Sequence, residues 1–294
     1  MKKYNKIWVK IKGVILPYGE NQWRTNRKWI IIAGCFIFGG MVCIWLLPSG
    51  QVSKPSDLSA EQLYEKGKRE YLKDNYSEAV DYYRSAAEKG LPDAMNAVAW
   101  CYLKGNGVQV DKSKAYQWYT SAAEKGHRRA MYNLGKCYHE GWGVDKDTYL
   151  AYKWYKKGAE KGDAEAQNAL AWCYWKGTGT KQDIIQSVVW YGKAAQQWHP
   201  RAMYNLACLW EELKAKLEND LKSQGIWVWL KVKMGMCNDE EINKTINTLY
   251  YQSALLGDEL AKNKVNQIVI KPSDCIPVAI LIVRLGAAAA GCGF

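Results

Sequence analysis

Laid over itself at an offset of 36 residues, the chain matches itself without a gap from Met95 to Ala202. Tyr102, Tyr138 and Tyr174 fall in step, as do Gly105, Gly141 and Gly177. So do Trp118, Trp154 and Trp190, and beside them Tyr119, Tyr155 and Tyr191. A period of this size marks a chain built from stacked supersecondary units. One such unit cannot bury its apolar faces alone, so the core has to form between neighbours.

Each unit reads as two helices. In the first, Ala94, Val98, Ala99 and Tyr102 share one face. Gly105-Asn106-Gly107-Val108 then breaks the helix, and Asp111 is placed to cap a second one. The inward face of that second helix is Ala115, Trp118, Tyr119 and Ala122, and Gly126 supplies its left-handed stop. Two departures are expected to alter the later turns: Lys146-Asp147-Thr148 in the second unit, and Thr180 with Trp198 in the third. A shorter unit, 63–94, precedes these and turns through Lys73-Asp74-Asn75-Tyr76. A distorted one follows: 203–210 opens like a first helix, but the matching second-helix end, 248–261, arrives 23 residues late. The extra stretch, roughly 211–235, carries Trp227 and Trp229 as a second candidate binding surface.

The pattern A-x-x-x-(L/V)-(G/A)-x-x-Y-x-x-G-x-G-V-x-x-D, followed by K-A-x-x-W-Y-x-x-A-A-x-x-G-x-x-x-A, runs almost unbroken through 94–130 and well through 131–166. These units resemble the Sel-one-like repeat family, a branch of the tetratricopeptide superfamily. The resemblance implies an all-α, right-handed α-solenoid of stacked hairpins over 61–270, which supplies binding surfaces rather than a chemistry. It also implies that first helices line a concave face. The residues so placed are Asn96, Trp100, Leu103, Lys104, Tyr132, Lys136, His139, Glu140, Asn168, Trp172, Trp175, Lys176, Tyr204, Cys208, Glu211 and Glu212. Their aromatics are the residue types that anchor protein interfaces. Some relatives staple each hairpin with two cysteines; here there is one per hairpin, so that feature does not transfer.

Charge and hydropathy divide the rest. The chain carries a net +12. Residues 1–28 hold eight basic groups and one acid, and so account for +7 of it. Residues 29–47, WIIIAGCFIFGGMVCIWLL, are uncharged and long enough to cross a bilayer as a helix. The positive-inside rule would then leave 1–28 in the cytoplasm and place everything after a linker, 48–60, across an inner membrane in the periplasm. Within the basic tail, Trp8, Ile11 and Ile15 form a helical apolar stripe beside Lys6 and Lys10 that could lie on anionic lipid. The apolar tail 271–294 does not continue the repeat. It is expected to dock on the last hairpin, dip into the membrane, or be a degenerate gene end.

No nucleotide-binding, hydrolase or zinc motif is present, and the Gly-x-Gly triplets read as turns of the repeat. His127, His139 and His199 are expected at different repeat positions, on surface or loops. Cys101, Cys137 and Cys173 share one position, too far apart across stacked helices for disulfides, and read as small buried apolar residues. The expectation is a chain without catalysis, cofactor, metal or nucleic-acid partner. It would bind another protein, most specifically as an immunity-type protein neutralising an antibacterial effector such as a secreted lipase. The alternative is a general envelope adaptor for cell-wall, polarity or quality-control proteins.

Overall fold

The computed structural model describes residues 8–11, 14–17, 58–216, 225, 228, 232, 235, 236 and 238–289. The expected anchor, 29–47, lies outside the described residues, as do Trp227 and Trp229. Among the described residues no helix is long and apolar enough to cross a membrane. The chain forms two compact units, 1–52 and 53–294.

In the first unit Trp8–Ile11 (β1) pairs antiparallel with Val14–Pro17 (β2), Trp8 opposite Pro17 and Ile11 opposite Val14. This corrects the helical stripe expected there. Val9, Ile11, Val14 and Ile15 are β-branched, and such side chains favour the extended backbone.

The second unit is helical throughout its described elements. The helices are α1 (Ala60–Tyr71), α2 (Tyr76–Glu88), α3 (Pro92–Lys104), α4 (Lys112–Glu124), α5 (Arg128–Glu140), α6 (Thr148–Glu160), α7 (Ala164–Lys176), α8 (Ile184–Gln196) and α9 (Pro200–Lys216). Then come α10 (Asp239–Leu255), α11 (Glu259–Ile268) and α12 (Val278–Ala289). Consecutive helices from α1 to α9 pack on one another, α9 packs on α10, and α10 on α11. First helices also touch along the stack, α5 with α7 and α7 with α9.

The core repeats as the sequence does. Ala94, Val98 and Ala99 of α3 and Ala115, Tyr119 and Ala122 of α4 are all buried. Tyr83, Tyr119, Tyr155, Tyr191 and Tyr250 take equivalent places in the second helices and are buried in every copy. Tyr250 reaches that place despite the 23-residue delay, so the insertion lies between the two helices of the last hairpin. Facing these rings are small residues. In α5 a Cβ on Gly135 would meet the Tyr155 ring at 2.6 Å.

The turns hold their geometry against the departures in sequence. Asp111, Asp147 and Asp183 each cap a second helix, with φ between −143° and −145° and ψ between 95° and 102°. Neither Lys146-Asp147-Thr148 nor Thr180 changes this. Gly107, Gly143 and Gly179 have φ of 73°, 71° and 71° and press on the start of the preceding second helix. A Cβ on any of them would come under 3 Å from that backbone. The triplets are therefore inter-repeat contacts as well as turns. At the other end of the hairpin, Gly90, Gly126, Gly162 and Gly257 are left-handed, and Trp198 adopts the same conformation with φ 58°.

Cys101, Cys137 and Cys173 are buried thiols without disulfides, as expected. Burial pushes them up, Cys101 to about 11 and the other two to about 12. Cys208 and Cys275 are free as well.

The tail settles as α12, which packs on α8 and touches α10 rather than extending the last hairpin. Leu281 and Leu285 are buried there, and Arg284 bonds Thr245 and pairs with Glu241 of α10 at 3.6 Å.

Candidate functional site

The first-helix face carries a groove of about 480 Å³. Its wall is supplied by α3 (Asn96, Ala97, Trp100, Cys101), α5 (Arg129, Tyr132, Asn133, Lys136), Tyr71, Tyr83 and Glu165. Four residues expected on the concave face, Asn96, Trp100, Tyr132 and Lys136, meet in this one groove. They do so because positions 36 or 40 apart recur one helix over in the stack.

Polar contacts fix the groove. Asn133 Nδ2 donates to Asn96 Oδ1 at 2.9 Å, leaving Asn96 its amide protons and Asn133 its carbonyl. Trp100 is 41% exposed, and Lys104 Nζ lies 4.8 Å from its ring centre. Lys136 Nζ sits 4.9 Å from the Trp142 ring and 5.9 Å from that of Tyr132. Arg129 stacks near Tyr132 and bonds Asp163 at 3.0 Å and Glu165 at 3.5 Å.

Asn168, Trp172, Trp175 and Tyr204 lie further along the face and are partly buried. Trp172 stands edge-on to His139, with ring centres 5.5 Å apart. Trp175 packs edge-on to Tyr191 and donates its Nε1 proton to Glu212 at 2.9 Å. Asn168 accepts from Asn205 at 3.0 Å, and Tyr204 packs on Tyr250. Tyr250 donates to Glu211 at 2.9 Å, and Lys264 pairs with the same carboxylate at 3.0 Å. Burial works against ionisation of Glu212. The bonds from Lys216 and Trp175, with Lys176 nearby, outweigh it and hold its carboxyl below the usual range.

Arg129, Asn133, Tyr71 and Glu165 belong to the groove without having been singled out by sequence. Their signal was present: Asn133 and Asn205 occupy one repeat position, and Arg129 and Arg201 another.

The histidines need correction. His127 and His199 are two periods apart and do the same job. Each caps a first helix, with Nδ1 accepting from Ala130 at 3.0 Å and from Ala202 at 3.1 Å. Their Nε2 atoms face Asp93 at 3.5 Å and Glu165 at 3.1 Å in the preceding repeat. The alternate copies of that cap position are Asp163 and Asp258, paired with Arg129 and Arg201. From α5 to α11, cap and partner alternate in chemistry with each repeat, whereas Leu91 at the start of α3 makes no side-chain cap. Among the described residues no cluster of histidine, cysteine and carboxylate side chains is placed to hold a metal ion.

Comparison with known proteins agrees with this architecture. The Sel1 repeat matches four times, at 57–91, 92–127, 128–163 and 164–197. No curated protein matches the chain. Among solved structures, a Sel1 repeat protein from Oxalobacter formigenes is 25% identical with a TM-score of 0.57, over 78% of this chain and 82% of that one. The protein c5321, a protective antigen of uropathogenic Escherichia coli with the SLR fold, is 26% identical with a TM-score of 0.49. That match covers 79% of this chain and 53% of that one, so this chain spans about half its length. Immunity protein Pa5087 from Pseudomonas aeruginosa superposes only to a TM-score of 0.33 at 20% identity, over 66% of this chain and 81% of that one. At that level the likeness carries nothing about role. The four matched units coincide with the hairpins from α1 to α8, so residues 57–197 of this chain carry four Sel1 repeats.

Proposed function

We propose that this chain is a non-catalytic, protein-binding solenoid tethered to the inner membrane by residues 29–47, with its repeats in the periplasm. There it would bind and neutralise an antibacterial effector such as a secreted lipase. The observation that carries the binding reading is the groove around Trp100. A large aromatic ring, open to solvent and flanked by polar groups, is the usual centre of a protein interface. The immunity reading adds the order of segments in the sequence: basic tail, apolar stretch, then repeats. An inhibitor held at the membrane stands where an injected lipase acts.

The test is co-expression with a secreted effector encoded beside this chain. Survival of the cell that is lost with Trp100→Ala supports the proposal. An unprotected cell sinks the immunity role. Stable capture of a cell-wall enzyme instead would move the reading to an envelope adaptor.

A further inference from the structure

The first-helix face repeats not every 36 residues but every 72. Asn96 matches Asn168, Lys104 matches Lys176, and Glu140 matches Glu212. The two halves share a plan and finish it differently. In the second half the chain supplies its own carboxylate. Glu212 accepts from Trp175 Nε1 at 2.9 Å and from Lys216 at 2.6 Å, close to Lys176. Cys208 stands there in place of a lysine.

In the first half Leu103 takes the place of Trp175 and Lys136 the place of Cys208. Glu140 stays 44% exposed and 4.0 Å from His139. Lys104 and Lys136 are left on the indole rings of Trp100 and Trp142. Among the described residues, no carboxylate lies within ion-pair distance of either lysine. This is also the half that is open as a groove.

We propose that the groove between α3 and α5 takes an extended, acidic peptide segment, with a carboxylate side chain seated at the edge of Trp100 between Lys104 and Lys136. The second half offers a comparable arrangement, in which an internal carboxylate, Glu212, is held by Trp175 Nε1 and Lys216 close to Lys176. The Asn96–Asn133 pair leaves the Asn96 amide protons and the Asn133 carbonyl side by side, a donor group and an acceptor group that suit a peptide backbone. This inference rests on the protein-binding reading and names the chemistry of its partner.

The experiment uses the full chain in detergent and follows the anisotropy of three labelled probes. One is a short peptide alternating serine and glutamate. The second has glutamine for each glutamate, and the third is a short single-stranded oligothymidine. The glutamate peptide is expected to bind about tenfold or more tightly than the glutamine peptide and to weaken as salt rises. The Lys104→Glu/Lys136→Glu variant should lose that binding, whereas Lys176→Glu should keep it. Circular dichroism checks that each variant is folded, and Lys104→Gln/Lys136→Gln stands in should the charge reversal unfold. Equal affinity for both peptides, tighter binding of oligothymidine, or an equal loss in Lys176→Glu would overturn the assignment. Protection of the cell that survives Lys104→Glu/Lys136→Glu would overturn it too, while leaving the broader protein-binding role in place.

Discussion

His199 Nε2 lies 3.1 Å from Glu165 Oε2, while its Nδ1 accepts the Ala202 backbone proton at 3.1 Å. One imidazole thus caps its own helix and ties that helix to the repeat before it. The bond to His199 is the first cause holding the Glu165 carboxyl below its ordinary range, against a smaller effect of burial. A carboxylate depressed in the fold contributes stability that is complete above its unfolded value. That contribution fades as pH falls through the folded value. Denaturant midpoints measured from pH 5 downward should therefore drop in the wild type and drop less in Glu165→Gln.

His127 gives a second window. Burial lowers its pKa from the usual 6.5, and its Nδ1 is occupied by the Ala130 cap bond. The unfolded chain takes up this proton first, so stability is lost as pH falls from about 6.5 toward the folded value. His127→Asn keeps a capping oxygen and removes the titration. Urea unfolding at pH 7 and pH 5 should show a smaller difference in that variant than in the wild type.

Val269 ends α11 in the left-handed region with φ 51°, and its side chain is 67% exposed. A β-branched residue is strained there, and little packing would be lost on removing it. Val269→Gly should stabilise by about 1 kcal/mol. Thermal unfolding should move up by about 2–4 °C.

The Tyr119 hydroxyl is buried with no hydrogen-bond partner, while the equivalent Tyr250 hydroxyl donates to Glu211. Removing an unsatisfied buried group is favourable, and removing a bonded one is not. Tyr119→Phe should gain about 1 kcal/mol and Tyr250→Phe should lose about as much. Chemical denaturation of the two variants side by side checks the contrast in sign.

Gly141 and Gly143 share a positive φ but not their surroundings. A Cβ on Gly141 would meet the movable Lys146 side chain at 3.0 Å, whereas one on Gly143 would strike the Lys112–Ser113 backbone. Both alanine variants carry left-handed strain of about 1 kcal/mol. Only Gly143→Ala also pushes two repeats apart, so its denaturation midpoint should fall well below that of Gly141→Ala.

The hairpins were legible because period, apolar face and cap are all local. Asp111 caps α4 where the sequence placed it, and the equivalent tyrosines mark each second helix even across the insertion. Other signals were present but misread. The 72-residue spacing that unites His127 with His199 stands in the sequence, but Asp163 holds the copy between them, so matching adjacent repeats hides it. In the tail, Trp8, Ile11 and Ile15 fit a helical stripe, but the β-branched Val9, Ile11, Val14 and Ile15 pair as a hairpin.

The sequence by itself determined the repeat, the placing of its helices and turns, and which residues share the first-helix face. Each follows from residues a few positions apart on one helix or turn. Tertiary structure decided which members of that face are open. Trp100 and Trp172 are one residue type at one repeat position, yet Trp100 is 41% exposed and Trp172 is half-buried beside His139. The separation comes from contacts between side chains of different repeats. Glu212 closes on Trp175 in one half and no counterpart closes in the other. Such contacts depend on how neighbouring helices stack, which local periodicity does not encode.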